Sequence, residues 1–66
     1  MELLVNGEKM ERPDGDTLAG LLTALGADAA RVAVLVNDEV VPQAERAAAV
    51  LHAGDRVEIL TFAGGG

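Results

Sequence analysis

The chain has 66 residues, half of them hydrophobic, with no cysteine, one histidine and Phe62 as its single aromatic residue. One small domain is all this length supports, and a chain so short buries only about 60% of its unfolded surface. Its composition excludes disorder, disulfides and thiolate metal sites, and its net charge of −6 repels phosphate backbones, so nucleic acid is not an expected partner. No signal peptide or apolar run of membrane-spanning length is visible, so a soluble, cytoplasmic protein with no membrane partner is expected.

Met1 to Val5 reads as a strand, followed by Asn6-Gly7 and a second run, Glu8 to Arg12. Asn-Gly between two such runs signals a type I′ hairpin, because both central residues must take positive φ. A two-residue loop sets Val5 opposite Glu8, Leu4 opposite Lys9 and Leu3 opposite Met10. Leu3, Val5 and Met10 then face the core, and the charged second strand forms a protected edge. Pro13-Asp14-Gly15 turns the chain, and Asp16 or Thr17 caps a helix. Leu18, Leu21, Leu22 and Leu25 supply its apolar stripe, and Gly26 ends it. Gly20 stands mid-helix at a cost of about 1 kcal/mol relative to Ala, with no local reason for its presence.

Val32 to Val36 is a buried strand, Asn37-Asp38 a turn and Glu39-Val40-Val41 a short return that Pro42 stops. Gln43 to Ala49 fits either a helix or a single turn followed by an extended segment. Ala53-Gly54-Asp55 turns into the last strand, Arg56 to Phe62, where Val57 and Ile59 face the core. Glu58, Leu60 and Phe62 then point the other way, as does Leu4. Leu4, Leu60 and Phe62 are accordingly the candidate partner-binding surface. One helix on one face of a mixed sheet of four or five strands makes a two-layer α+β domain over residues 1–62.

The tail, Ala63-Gly64-Gly65-Gly66, has almost no side chains. Such a tail is either a frayed terminus or a lead able to pass through a narrow opening, with a reach of roughly 13 Å when extended. Elsewhere the chain is poor in chemistry. His52 has no Cys or Ser near it in sequence and is expected at the surface, and no metal-ligand spacing appears. The reactive candidate is the Gly66 α-carboxylate. It is ionised at neutral pH and is therefore a poor electrophile until activated. Attack on the α-phosphate of ATP turns it into an acyl adenylate, and sulfide or a persulfide can displace AMP to leave a thiocarboxylate.

Several stretches carry a family resemblance along the whole chain. They are Leu4-Val5-Asn6-Gly7-Glu8, Thr17-Leu18 with Leu21-Leu22, Val32-Ala33-Val34-Leu35-Val36-Asn37 with Val40-Val41-Pro42, and Gly54-Asp55-Arg56-Val57-Glu58-Ile59 leading into Phe62-Ala63-Gly64-Gly65-Gly66. In this order they resemble the ThiS family of sulfur carriers for thiamine thiazole formation, whose fold is the ubiquitin-like β-grasp. The resemblance implies a non-catalytic protein substrate that binds no cofactor, with ATP consumed by a ThiF-type, E1-like adenylyltransferase. It implies a persulfide donor made by a cysteine desulfurase, a ThiG-type thiazole synthase as acceptor and Gly66 as the modified residue. Where the family usually has a basic and an aromatic residue after Val-Pro, this chain has Gln43, Ala44, Glu45 and Arg46. The alternatives are a MoaD-like carrier for molybdopterin or another acceptor, and a ubiquitin-like protein modifier.

Overall fold

A computed structural model describes residues 1–62. The expected tail, 63–66, lies outside the described residues. Strand β1 (Glu2–Val5) pairs antiparallel with β2 (Glu8–Glu11) in the expected register, with Leu3 opposite Met10 and Val5 opposite Glu8. Asn6 and Gly7 both take positive φ, 50° and 82°, as a type I′ turn requires. Helix α1 (Leu18–Leu25) crosses one face of the sheet. Strand β3 (Val32–Val36) and the two-residue β4 (Glu39–Val40) form a second hairpin, and β5 (Arg56–Thr61) closes the sheet.

The sheet order is β2-β1-β5-β3-β4. The last strand thus lies in the middle, parallel to β1 and antiparallel to β3. Leu3, Val5, Val32, Val34 and Val57 are buried from the sheet, and Leu18, Leu21 and Leu22 from the helix; Leu51 completes the core. Leu25, the last residue of the stripe, is 40% exposed because α1 ends there, past the edge of the core. This is the β-grasp arrangement, a mixed five-stranded sheet holding one main helix.

Local chemistry fixes both helix ends. The Thr17 hydroxyl accepts from the Gly20 N–H at 3.1 Å. Gly26 takes φ 69°, its N–H bonding the Thr23 carbonyl while the Ala27 N–H bonds that of Leu22. This double closure satisfies two terminal carbonyls and leaves the next residue free to turn. Of the two expected caps, Thr17 does the work and Asp16 turns elsewhere. Its carboxylate accepts from Arg12 Nε at 2.7 Å and from the Thr17 N–H at 2.9 Å. A Cβ at position 20 would collide with Asp16 Oδ1, which accounts for the mid-helix glycine.

The segment after Pro42 is a 3₁₀ turn (Gln43–Glu45) continued by further turns through Ala48, and it extends only at Val50, so it lies between the two expected forms. It clamps the start of α1. The Leu18 N–H donates to the Ala49 carbonyl and the Ala19 N–H to that of Arg46, at 2.9 and 3.1 Å, and Leu51 bonds back to Asp16. The first two bonds occupy helix N–H groups that have no partner within the helix. Arg46 is only 5% exposed. Its Nη1 and Nη2 donate to the carbonyls of Ala29 and Val32 at 2.9 and 2.8 Å, while its buried Nε has no partner among the described residues.

Candidate functional site

Because β5 is the central strand, the described chain ends, at Phe62, in the middle of the sheet. Pairing holds the backbone to its last described residue: the Phe62 N–H donates to the Arg31 carbonyl at 3.0 Å. The alternation of β5 decides which side chains flank this exit. Val57 and Ile59 turn to the helix, and Glu58, Leu60 and Phe62 to the opposite face, where Leu60 is 52% and Phe62 62% exposed.

The register places the candidate docking residues more finely than alternation alone. Leu4 is on the same outer face as Leu60 and Phe62, but it stands beside Arg56. Four residues of strand, roughly 13 Å at 3.3 Å per residue, separate that position from Leu60. The charged Glu58 lies between them. The structure therefore brings Leu60 and Phe62 together and leaves Leu4, half-buried, at the far end of the face. Ala33 is paired with Leu60 and Leu35 with Glu58, and Val40, 68% exposed, is paired with Leu35. Apolar surface thus runs from Phe62 across β3 to β4. Sequence reading missed Ala33, Leu35 and Val40. The signal was there in the second hairpin, since a two-residue turn at Asn37-Asp38 sets Val40 opposite Leu35, but only the order of strands shows that this pair shares a face with Leu60.

Charged groups at the other end of that face are paired off. Arg56 Nη2 meets Asp38 at 2.8 Å, and this hydrogen bond, aided by Asp38's charge, raises the already high guanidinium pKa. Asn37 ties the turn of the second hairpin to the start of β5, donating to Asp55 at 2.9 Å and accepting from the Arg56 N–H at 3.0 Å. His52 is exposed, with its Nδ1 3.9 Å from Asp55 Oδ2. The closer contact there is from the His52 backbone, whose N–H donates to Asp55 at 2.8 Å. His52 is thus part of a turn rather than of a catalytic constellation. Gln43, Ala44 and Glu45 are exposed on the 3₁₀ turn, whereas Arg46 points inward. Among the described residues no group of three His, Asp or Glu side chains is placed to hold a metal, and no helix is long and apolar enough to cross a membrane. Ala63, Gly64, Gly65 and Gly66, expected to enter a partner's active site, lie outside the described residues.

Comparison with known proteins agrees with this architecture. The chain is 41% identical over its whole length to a thiazole synthase of Paramagnetospirillum magneticum and, equally, to one of Magnetococcus marinus. It spans about a fifth (20%) of the length of those relatives. A crystal structure of the thiamine biosynthesis protein ThiS from Geobacter metallireducens superposes with a TM-score of 0.86 at 38% identity, covering 100% of both chains. A solution structure of a thiamine biosynthesis protein from the same organism gives 0.80 at 38% identity, covering 100% of this chain and 88% of the other. The ThiS family model matches residues 3–66, from the first core leucine through the glycines, and the chain belongs to the ThiS family.

Proposed function

We propose that this chain is a sulfur carrier for thiazole formation in thiamine biosynthesis, with the Gly66 carboxylate as the reacting group. The observation that carries the reading is a central strand that leads, past an exposed Leu60 and Phe62, directly into Ala63-Gly64-Gly65-Gly66. A glycine tail fits a channel too narrow for side chains, and the apolar face beside its exit gives a partner something to hold. The chain acts as a protein substrate rather than as an enzyme.

In this reading a ThiF-type, E1-like adenylyltransferase binds the domain and ATP. The Gly66 carboxylate oxygen attacks the α-phosphorus and pyrophosphate leaves, giving the acyl adenylate. Hydrosulfide displaces AMP directly. Alternatively, the terminal sulfur of a cysteine persulfide displaces AMP to give an acyl disulfide, which a second thiol cleaves while being oxidised to a disulfide. Either route ends in a thiocarboxylate at Gly66. A ThiG-type thiazole synthase then takes the sulfur, and the 41% identity to thiazole synthases favours this acceptor over a molybdopterin one. The net charge of −6 suits docking on a basic enzyme surface.

The test is intact-mass spectrometry of the chain after incubation with ATP, a persulfide donor and the adenylating enzyme of its own cell. The expected product is heavier by the exchange of one oxygen for sulfur, and a chain lacking Gly66 gives none. An unchanged mass for the natural sequence, with an enzyme shown to be active on another carrier, refutes the reading.

A further inference from the structure

Backbone groups alternate in direction along β5. The even-numbered residues face β3, as the Phe62 N–H bond to Arg31 shows, so the odd-numbered ones turn their N–H and C=O groups toward β1. On that side the pairing runs out early. The last ladder pair with β1 is Val5 with Val57, and the Asn6 N–H adds one bond to the Val57 carbonyl at 2.8 Å. One side chain then stands in for backbone: Asn6 Oδ1 accepts from the Ile59 N–H at 2.8 Å. Beyond it the chain has already turned into β2. Among the described residues, the Ile59 carbonyl and the N–H and carbonyl of Thr61 have no strand beside them.

A central strand with an open flank is unusual, because unpaired strand edges invite pairing and folded proteins cover them. Here the flank borders a groove of about 420 Å³ between the hairpin turn and the end of α1. Its apolar lining comes from Val5, Met10, Leu25, Ala27 and Ile59. Leu25 is the stripe residue left without core to cover.

We propose that an extended segment of the enzyme that receives the tail adds to the sheet along this flank, from Ile59 to Phe62. The inference rests on the carrier reading and adds a docking track to it. An enzyme that draws in residues 63–66 necessarily lies against Phe62, and Thr61 is the adjoining residue. The groups left without a partner among the described residues are one donor and two acceptors at strand spacing, which match a backbone rather than a small ligand. Side chains of an added strand alternate, one into the groove against Met10 and Leu25, its neighbours onto the face that carries Leu60 and Phe62. The same segment thus engages both surfaces beside the exit.

The experiment uses the full 66-residue chain, which is short enough for chemical synthesis. An ester in place of the Leu60–Thr61 amide deletes the Thr61 N–H and keeps every side chain, while the Leu60 carbonyl, which faces Ala33 of β3, stays in place as a weaker acceptor. Binding to the adenylating enzyme and to the thiazole synthase of the same cell is then measured beside the natural chain. The expected loss for one interfacial hydrogen bond is about 5- to 10-fold in affinity, with the chain still folded and its melting temperature only slightly lowered by the weaker Leu60 acceptor. Hydrogen exchange on the unmodified chain supplies the second measurement, with Thr61 protected when either enzyme is bound. Equal binding of the ester, or a Thr61 amide that exchanges in both complexes as fast as in the free chain, overturns the inference even if Gly66 still acquires sulfur. A natural chain that acquires no sulfur and binds neither enzyme overturns the carrier reading and this inference with it.

Discussion

Replacing Arg46 should test how the segment after Pro42 holds the domain together. The guanidinium is buried without a carboxylate, and it spans two parts of the chain: the turn before β3, through Ala29, and the first residue of β3, Val32. Val32 pairs with Thr61 at a position whose carbonyl points away from β5, and bonding from the β4 side ends at Val34, where Val41 donates, so Arg46 is the Val32 carbonyl's partner. Each charge-assisted bond contributes about 1.5–3 kcal/mol, so the two together contribute about 3–6 kcal/mol. Against this stand the desolvation of the cation and the unpaired Nε, which cost roughly 1–3 kcal/mol after the two bonds are made. Arg46→Ala also removes the packed stem and opens a void, so the expected net loss is about 3–4 kcal/mol. Arg46→Met keeps the stem volume and removes the unpaired donor, and should lose about half as much. A 66-residue domain has only about 3–10 kcal/mol of stability in total, and each kcal/mol moves the melting temperature by about 4–8 °C. The Ala variant should therefore melt at least about 12 °C lower, read by circular dichroism, and the Met variant should fall between it and the natural chain. An Ala variant within about 3 °C of the natural chain would show that desolvation cancels the hydrogen bonds and would refute the reasoning.

Gly20→Ala should destabilise the natural chain, because the new methyl displaces Asp16 from its bonds to Arg12 and Thr17. In an Asp16→Ala background the same substitution should stabilise by about 0.5–1 kcal/mol, a reversal that a double-mutant cycle in urea would detect. Phe62→Ala and Leu60→Glu should each weaken enzyme binding at least about 10-fold while melting within a few degrees of the natural chain. A badly destabilised domain with unchanged affinity would instead assign both residues to folding. The Met1 amine donates to the Arg12 carbonyl and contacts Asp14 and Glu11 at 3.2 and 3.6 Å. The hydrogen bond with Asp14, first among the causes, raises its pKa above the ordinary 8.0. A group whose pKa is higher when folded stabilises fully below its unfolded value. This contribution should thus be present below pH 8 and fade as pH rises through the raised folded value. Amine acetylation should flatten the dependence of melting temperature on pH in that range.

Much of this molecule could be read along the chain because the controlling forces are local. Asn6-Gly7 sets a turn and hence a register, and the leucine spacing with Thr17 and Gly26 sets a helix and its ends. The readings that stayed open depend on residues distant in sequence. Gly20 is explained by a carboxylate that Arg12 holds in place, and Arg46 sits in an alanine-rich run with no local mark of burial. Leu4, Leu60 and Phe62 share a face by alternation, yet only the β1–β5 register reveals the gap between Leu4 and the other two. The reading of the tail rests on composition instead: three glycines at 64–66 are informative because they carry no side chains, and the proposed mass-spectrometric test decides their role.

The position of β5 also has a mechanical consequence. Under the proposed carrier function, a partner drawing on the chain beyond Phe62 would load the strand lengthwise between β1 and β3. All the hydrogen bonds along its two sides then bear the force in shear at once. A strand at the rim, pulled sideways, would peel open one bond after another. The handle is fixed where tugging on it is least able to unravel the body.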